Sequence, residues 1–438
     1  MSLIPKLKPT SLRPYRIAKT IATVVWLAGI YFVWTAGLDT PRRLATLLIA
    51  SYLISWGLAL LLLECSRREM IMRFILMSLA FCSILALLET PALLRLVDYR
   101  SVFHVRMVEQ TERPENLMDP ELIYIRKPHL EMAGNQKGNF AMSKCLPGPS
   151  YAFRVRYDQK GFRNDSDLTA AEVAIIGDSF IEEPVIASPE LVTSVVARLQ
   201  NATVVNLGVS GYGPQQELAV LRRYALPLHP KVVVWAFFEG NDLDDLLRYP
   251  NQRSLVPSSA GPSRTFVLRS FTRNALLAAL QLMKRCKPDP LAQSLAGSIK
   301  DPNGKNIRIY YDYPGAPFSR RNENALAQLK TLFAEAFALC KAQGVRLIVA
   351  FVPTKFRVYS QIATSDAGSD TGNWEINEMP RRVSATLAEI SSEITYVDLT
   401  PALQAGARDR LVYFPDDTHW TPAGHKIAAE AISERISK

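Results

Sequence analysis

From Val173 onward, short apolar runs alternate with segments of helical length, and that alternation restricts this 438-residue chain to few architectures. Val173–Ile176, Ala202–Val205, Val232–Phe238, Val345–Val352 and Ile394–Leu399 are short enough for strands. They are apolar on both alternate faces, so a layer must cover each side of the sheet they form. Pro189–Leu199, Pro214–Tyr224, Glu323–Gln343, Pro380–Ser391 and Pro422–Ile436 have helical spacing between and after them. Strands joined by helices need right-handed crossovers, which predicts an α/β fold with a mostly parallel sheet.

Four short blocks sit just beyond strand ends, where ligands meet open α/β sheets. They are Gly177-Asp178-Ser179-Phe180, Asn206-Leu207-Gly208, Gly240-Asn241-Asp242 and Asp416-Asp417-Thr418-His419, the last after Leu411–Phe414, which reads as another buried strand. A Ser supplies a nucleophile, a His its base, an Asp fixes the imidazole tautomer, and N–H groups hold the oxyanion. Ser210 is a rival nucleophile but lacks the Asp-Ser context. His425, at the start of a helix, reads as a packing residue, and Asp178 as a turn and helix-start residue.

In this order and on these elements, the blocks resemble the SGNH (GDSL-like) hydrolase superfamily over roughly residues 151–438. The resemblance implies a flavodoxin-like three-layer α/β/α sandwich. It also implies Ser179 as nucleophile and His419 as base, with an oxyanion hole from the N–H groups of Ser179 and Gly208 and the Asn241 side chain. Two departures stand out. The third block carries Glu239 where the family's Gly-x-Asn-Asp has its glycine, although Gly240 follows directly. The last block satisfies both Asp-x-x-His, which selects Asp416, and Asp-x-His-Trp, which selects Asp417. The second pattern is similar to polysaccharide O-acetylation proteins, and it favours Asp417.

The first hundred residues are of another kind. Ile21–Gly37, Leu44–Leu63 and Ile71–Leu88 are each about long enough to cross a bilayer as a helix, which predicts N-terminal transmembrane helices. Lys6, Lys8, Arg13, Arg16 and Lys19 precede the first stretch, and Arg67, Arg68 and Arg73 flank the third; only Arg42 and Arg43 lie between the first two. Positive charge stays inside, so the N-terminus is expected in the cytoplasm and the chain after the third span in the periplasm of a bacterium. Residues 1–100 hold 12 Lys+Arg against 5 Asp+Glu, and the rest hold 39 against 36. The basic balance is therefore topogenic and gives no argument for nucleic acid. No zinc-type spacing is present, so neither a metal nor a cofactor is expected; scattered Cys145, Cys286 and Cys340 define no disulfide.

Between the membrane segment (1–100) and the hydrolase-like domain (151–438), residues 101–150 read as a connector. Tyr151–Tyr157 reads as a strand that turns through Asp158–Asn164 into a short return strand. Insertions at about 243–318 and 355–378 are where substrate choice is expected, because loops on a rigid scaffold carry specificity. Tyr310, Tyr311 and Tyr313 fit sugar stacking or strand packing, and Phe266–Met283 has amphipathic helical spacing.

The reading is a membrane-anchored serine esterase or O-acyltransferase acting through an acyl-serine on O-acyl groups, acetyl foremost, of an envelope or exported polysaccharide. Transfer would need a donor or a partner membrane protein. A lipase or thioesterase on lipid acyl chains, and a non-catalytic assembly or polysaccharide-binding protein, are the alternatives.

Overall fold

The computed structural model describes residues 67–103, 110–254, 256, 262–283, 288–300, 304–313 and 319–438. Five strands form its central sheet: β1 (Val173–Gly177), β2 (Val204–Gly208), β3 (Val232–Phe238), β4 (Arg346–Val352) and β5 (Thr395–Asp398). Their spatial order is β2-β1-β3-β4-β5. Every pairing is parallel, with Gly177 opposite Gly208, Ile176 opposite Trp235 and Phe351 opposite both Phe237 and Asp398. This is the flavodoxin-like doubly wound order, whose switch point lies between β1 and β3.

The period-2 pattern of the strands divides the core. Ala174, Ile176, Val233, Trp235, Phe237, Val349 and Phe351 face one helical layer, to which Leu218, Phe333 and Val383 belong. Val173, Ile175, Val234, Ala236, Ile348 and Ala350 face the other, which includes Val196, Leu403 and Ile432. Both faces are dry, so the strands could be continuously apolar without exposing a side chain.

Two expected strands differ. Ser150–Arg156 pairs antiparallel with Glu131–Lys137 upstream, rather than with a return strand after Asn164. Asp158 Oδ1 accepts from the N–H groups of Lys160 and Phe162, closing the intervening residues into a turn, and Phe162 is buried. Leu411–Phe414 joins no sheet; Tyr413 makes a lone bridge to Trp420. The N–H groups of Val412 and Tyr413 donate to the Tyr359 hydroxyl instead of to a neighbouring strand.

The two insertions meet in one antiparallel sheet, in which Ala296–Lys300 pairs with both Asn306–Tyr310 and Thr364–Ser365. Tyr310 stacks on Phe140 with centroids 5.0 Å apart, and Tyr311 is buried against Phe356, so these two rings pack internally.

The described residues divide into two compact units, with boundaries unlike those read from the sequence. Described residues of 115–258 and 286–438 form the unit just outlined. Described residues up to Pro114 and those within 259–285 form the other. There the expected helix around Ile71–Leu88 runs as Arg67–Leu93. The expected Phe266–Met283 helix is split at Ser270 into Pro262–Arg269 and Phe271–Met283. Glu89 joins them, accepting from the Ser270 hydroxyl and the N–H groups of Phe271 and Thr272. Ile71, Leu76, Leu79, Ile84 and Leu87 are exposed on the long helix. Among the described residues, no helix is long and apolar enough to cross a membrane. The stretches Ile21–Gly37 and Leu44–Leu63 lie outside the described residues.

Candidate active site

β1 ends in Gly177, paired with Gly208 at the carboxyl edge of the sheet. A Cβ there would crowd Ile181 and Ala236, so the turn needs glycine. Asp178 follows as the cap of the short helix Ser179–Glu182, accepting from the Phe180 N–H at 3.0 Å. The turn leaves Ser179 at the carboxyl end of the sheet.

His419 arrives from a sequence distance of 240 residues, on the loop before the helix Pro422–Ile436. Its Nε2 lies 2.7 Å from Ser179 Oγ. Its Nδ1 lies 2.5 Å from Asp417 Oδ1, which also accepts from the His419 N–H at 3.0 Å. Both ring nitrogens are therefore committed, one to the serine and one to a carboxylate. The ring packs against Phe180, which also meets Trp420 edge-on.

Asp416 occupies a different place. Its Oδ1 accepts from the Tyr151 hydroxyl at 2.6 Å, and Ala141 donates its N–H to the Asp416 carbonyl at 3.2 Å. Of the two candidate carboxylates, Asp417 is the one on the imidazole.

Residues 131–156, partly read as a connector, hold this loop. The Asn139 N–H donates to Asp417 Oδ2 at 2.5 Å. The Asn139 side chain donates to Thr418 Oγ1 and accepts from the Thr418 N–H, both at 2.9 Å. A Cβ on Gly138 would overlap the Asp416 carbonyl. From the other side, buried Lys355 donates to the carbonyls of Tyr310 at 2.8 Å and Pro415 at 3.4 Å. Nothing in the local sequence around Asn139 marks it, because its partner lies 278 residues away.

Electrostatics follow from burial and neighbours. Burial opposes the Asp417 charge, but His419 and the N–H donors outweigh it and hold the carboxyl at about 2. Burial lowers His419, yet the carboxylates of Glu183 and Asp417 overcome this and raise it to about 10. Burial raises Asp178 to about 6, and it raises Glu217 and Asp242 well above the usual carboxyl range. The Trp235 indole N–H donates to Glu217 at 2.6 Å and the Phe238 N–H to Asp242 at 2.7 Å, which satisfies one oxygen of each.

The expected oxyanion donors are placed unequally. Gly208 lies beside Gly177 on β2, and its N–H donates to Asn206 Oδ1 at 3.0 Å, a bond that an oxyanion would have to displace. The glycine is required for another reason: a Cβ there would overlap Ile181, on the nucleophile's helix. Asn241 stands after β3 and donates through Nδ2 to Asp245 at 2.7 Å, engaging one of two amide protons. Glu239, in the family's glycine position, forms a buried ion pair with Arg357 and accepts from the Thr354 N–H at 3.0 Å. Ser210 donates its N–H to Glu182 at 2.5 Å. His425 is buried, with Nδ1 accepting from the Val192 N–H at 3.2 Å, and burial lowers it to about 3. Among the described residues, no cluster of His, Cys, Asp and Glu is arranged to hold a metal ion.

Residues 313–438 match the family model described as SGNH hydrolase-like domain, acetyltransferase AlgX. That region contains Asp416, Asp417 and His419 and stops short of Ser179. Relatives include a probable alginate O-acetylase AlgJ of Pseudomonas putida, 29% identical over 128 residues, 28% of this chain and 32% of that protein. Another, from Pseudomonas fluorescens, is 33% identical over 98 residues, 22% of this chain and 23% of that protein. The matched segment spans about a third or less of these relatives' length. A similar solved structure is a G-D-S-L family lipolytic protein of Desulfitobacterium hafniense: 14% identity, 60% of this chain, 97% of that chain, TM-score 0.32. A second is an acetylxylan esterase of Geobacillus stearothermophilus: 14% identity, 62% of this chain, 95% of that chain, TM-score 0.33.

Proposed function

We propose that this chain, which carries an SGNH hydrolase-like domain, is a membrane-anchored serine enzyme that removes or transfers O-acyl groups, acetyl foremost, on an envelope or exported polysaccharide. The observation that carries the proposal is the unbroken relay from Ser179 Oγ through the two nitrogens of His419 to Asp417. With Asp417 holding the Nδ1 proton, Nε2 presents its lone pair to the serine. Ser179 Oγ attacks the acyl carbonyl as its proton passes to Nε2. The tetrahedral intermediate then collapses, and the departing sugar alkoxide takes that proton. This leaves an acyl-serine. Water or a second sugar hydroxyl next gives a proton to Nε2 and attacks the acyl-serine. Its collapse returns the proton to Ser179 Oγ and frees acid or acylated sugar. In transfer from a separate donor, whether free or brought by a partner membrane protein, the donor's own leaving group takes the Nε2 proton in place of the sugar alkoxide.

Anchoring is supported by the apolar stretches of the first hundred residues and by the apolar side chains exposed on the helix Arg67–Leu93. The Lys and Arg asymmetry around those stretches supports a cytoplasmic N-terminus and a periplasmic catalytic domain. Cys145 is disulfide-bonded, which suits an oxidising compartment.

Labelling with a serine-directed fluorophosphonate probe tests the chemistry. The intact protein is expected to label, and Ser179→Ala to abolish both labelling and acetyl-ester hydrolysis while Ser210→Ala keeps them. Labelling that persists in Ser179→Ala refutes the assignment. Orientation is tested by a reporter fused after Lys438, expected to be active only outside the cytoplasm; cytoplasmic activity overturns the export reading.

A further inference from the structure

His419 Nδ1 faces two carboxylates. Besides Asp417, Glu183 Oε2 lies 3.2 Å from it. Glu183 is buried directly after the nucleophile's helix, where its N–H donates to the Ser179 carbonyl at 2.9 Å. Arg163 donates to the Glu183 carbonyl, and the Val185 N–H approaches Oε1 at 3.4 Å. Oε2 is buried and, among the described residues, has no hydrogen-bond partner apart from this approach to the imidazole. A buried carboxylate oxygen without a donor is costly unless the charge it meets justifies its place.

We infer that Glu183 is a positioning residue that, with Asp417, brackets the Nδ1 edge of His419 and sets the pH at which the imidazole becomes a free base. The inference rests on the proposed catalytic roles of Ser179 and His419. Asp417 stays ionised, so the proton that titrates is shared between Nε2 and Glu183. Burial, helped by the Asp417 charge, raises the Glu183 carboxyl to about 7 against the opposing pull of His419. Glu183 in its ionised form holds the imidazolium at pH values where a single-carboxylate triad would already have released it. The remaining charged neighbours do not replace it. Asp178 adds negative charge near His419, and buried Asp312 and neutral His425 sense the ring at longer range. Arg163 is the positive group beside Glu183.

The consequence is opposite to that of losing an ordinary triad member. Glu183→Gln keeps the shape and removes the charge, so it frees Nε2 at lower pH. Rates of fluorophosphonate labelling are measured from pH 5 to 10 for the intact protein, Glu183→Gln and Glu183→Ala. The acid limb in both variants is expected to move down by at least about one unit, giving roughly ten-fold faster labelling on that limb. A packing role alone would lower labelling across the range and leave the limb in place. The second variant covers a folding failure of the first.

The His419 imidazole is also titrated by NMR in Ser179→Ala backgrounds, with His419→Asn identifying its signal. Its midpoint is expected to fall on loss of Glu183. An unmoved limb together with an unmoved midpoint overturns the inference. An intact protein that does not label, with a midpoint that still moves, retires the hydrolase reading and leaves the role of Glu183 standing.

Discussion

Replacing Asp417 by Asn separates the two carboxylates of the Asp416-Asp417 pair most sharply. Asp417 accepts three N–H donors: His419 Nδ1, the His419 backbone and the Asn139 backbone. An Asn side chain has one acceptor oxygen and one donor group, so it cannot serve that set. If its amide faces Nδ1, the ring must carry its proton on Nε2, where it can no longer take one from Ser179. If its oxygen faces Nδ1, two protons of the amide oppose the Asn139 N–H. The expected loss in kcat is about 10⁴-fold, the size seen when the wrong tautomer is imposed on a serine triad, or about 5.5 kcal/mol in the barrier. Asp416→Asn meets another fate. Its Oδ1 can still accept from Tyr151, and Oδ2 has no partner to lose among the described residues. A loss of no more than about ten-fold is expected, the cost of one altered hydrogen bond. Hydrolysis of a small acetyl ester is compared for both variants at one alkaline pH, with Ser179→Ala as the floor. Equal losses at the two positions would show that Asp417 does not orient His419.

Two further changes probe the support. Arg126 donates to both oxygens of buried Glu182 at 2.8 and 3.0 Å, and Glu182 in turn receives the Ser210 N–H and the Tyr157 hydroxyl. Arg126→Met leaves that carboxylate buried without its counter-ion and should cost about 3–5 kcal/mol in chemical unfolding, with Glu182→Gln restoring part of it. Asp245 is raised from 3.8 to about 7, chiefly by burial. The folded state thus binds its proton more tightly than the unfolded chain. Stability is lost as pH rises from about 4 through about 7. Asp245→Asn, which still accepts from Asn241, should raise the melting temperature at pH 9 and leave it unchanged at pH 4; an equal shift at both pH values would exclude the charge as cause.

Local sequence determined the scaffold. Strand runs apolar on both faces permit only a sheet covered on both sides, and the helices between them dictate parallel crossovers, so a covered parallel sheet follows from short-range pattern, while its β2-β1-β3-β4-β5 order is the flavodoxin-like one that the resemblance implied. The cap of the Gly177-Asp178-Ser179 turn was legible for the same reason, since Asp178 reaches the Phe180 N–H two residues on, whereas its glycine is required in part by Ala236 on a neighbouring strand. Order along the chain also nominated His419 and its two aspartates. Which aspartate turns toward the ring was indicated only by the likeness to the Asp-x-His-Trp pattern, because both spacings fit a loop and the choice is made by contacts from residues 138–151. The same limit hid Asn139 and the unexpected pairing of Ser150–Arg156 with Glu131–Lys137. At Gly208 a sequence shows that a glycine is present, and only packing shows that Ile181 leaves no room for a Cβ and that Asn206 accepts its N–H. Periodicity records which side of an element is buried. Hydrogen bonds between segments hundreds of residues apart depend on where the elements dock, and only the tertiary structure decides that.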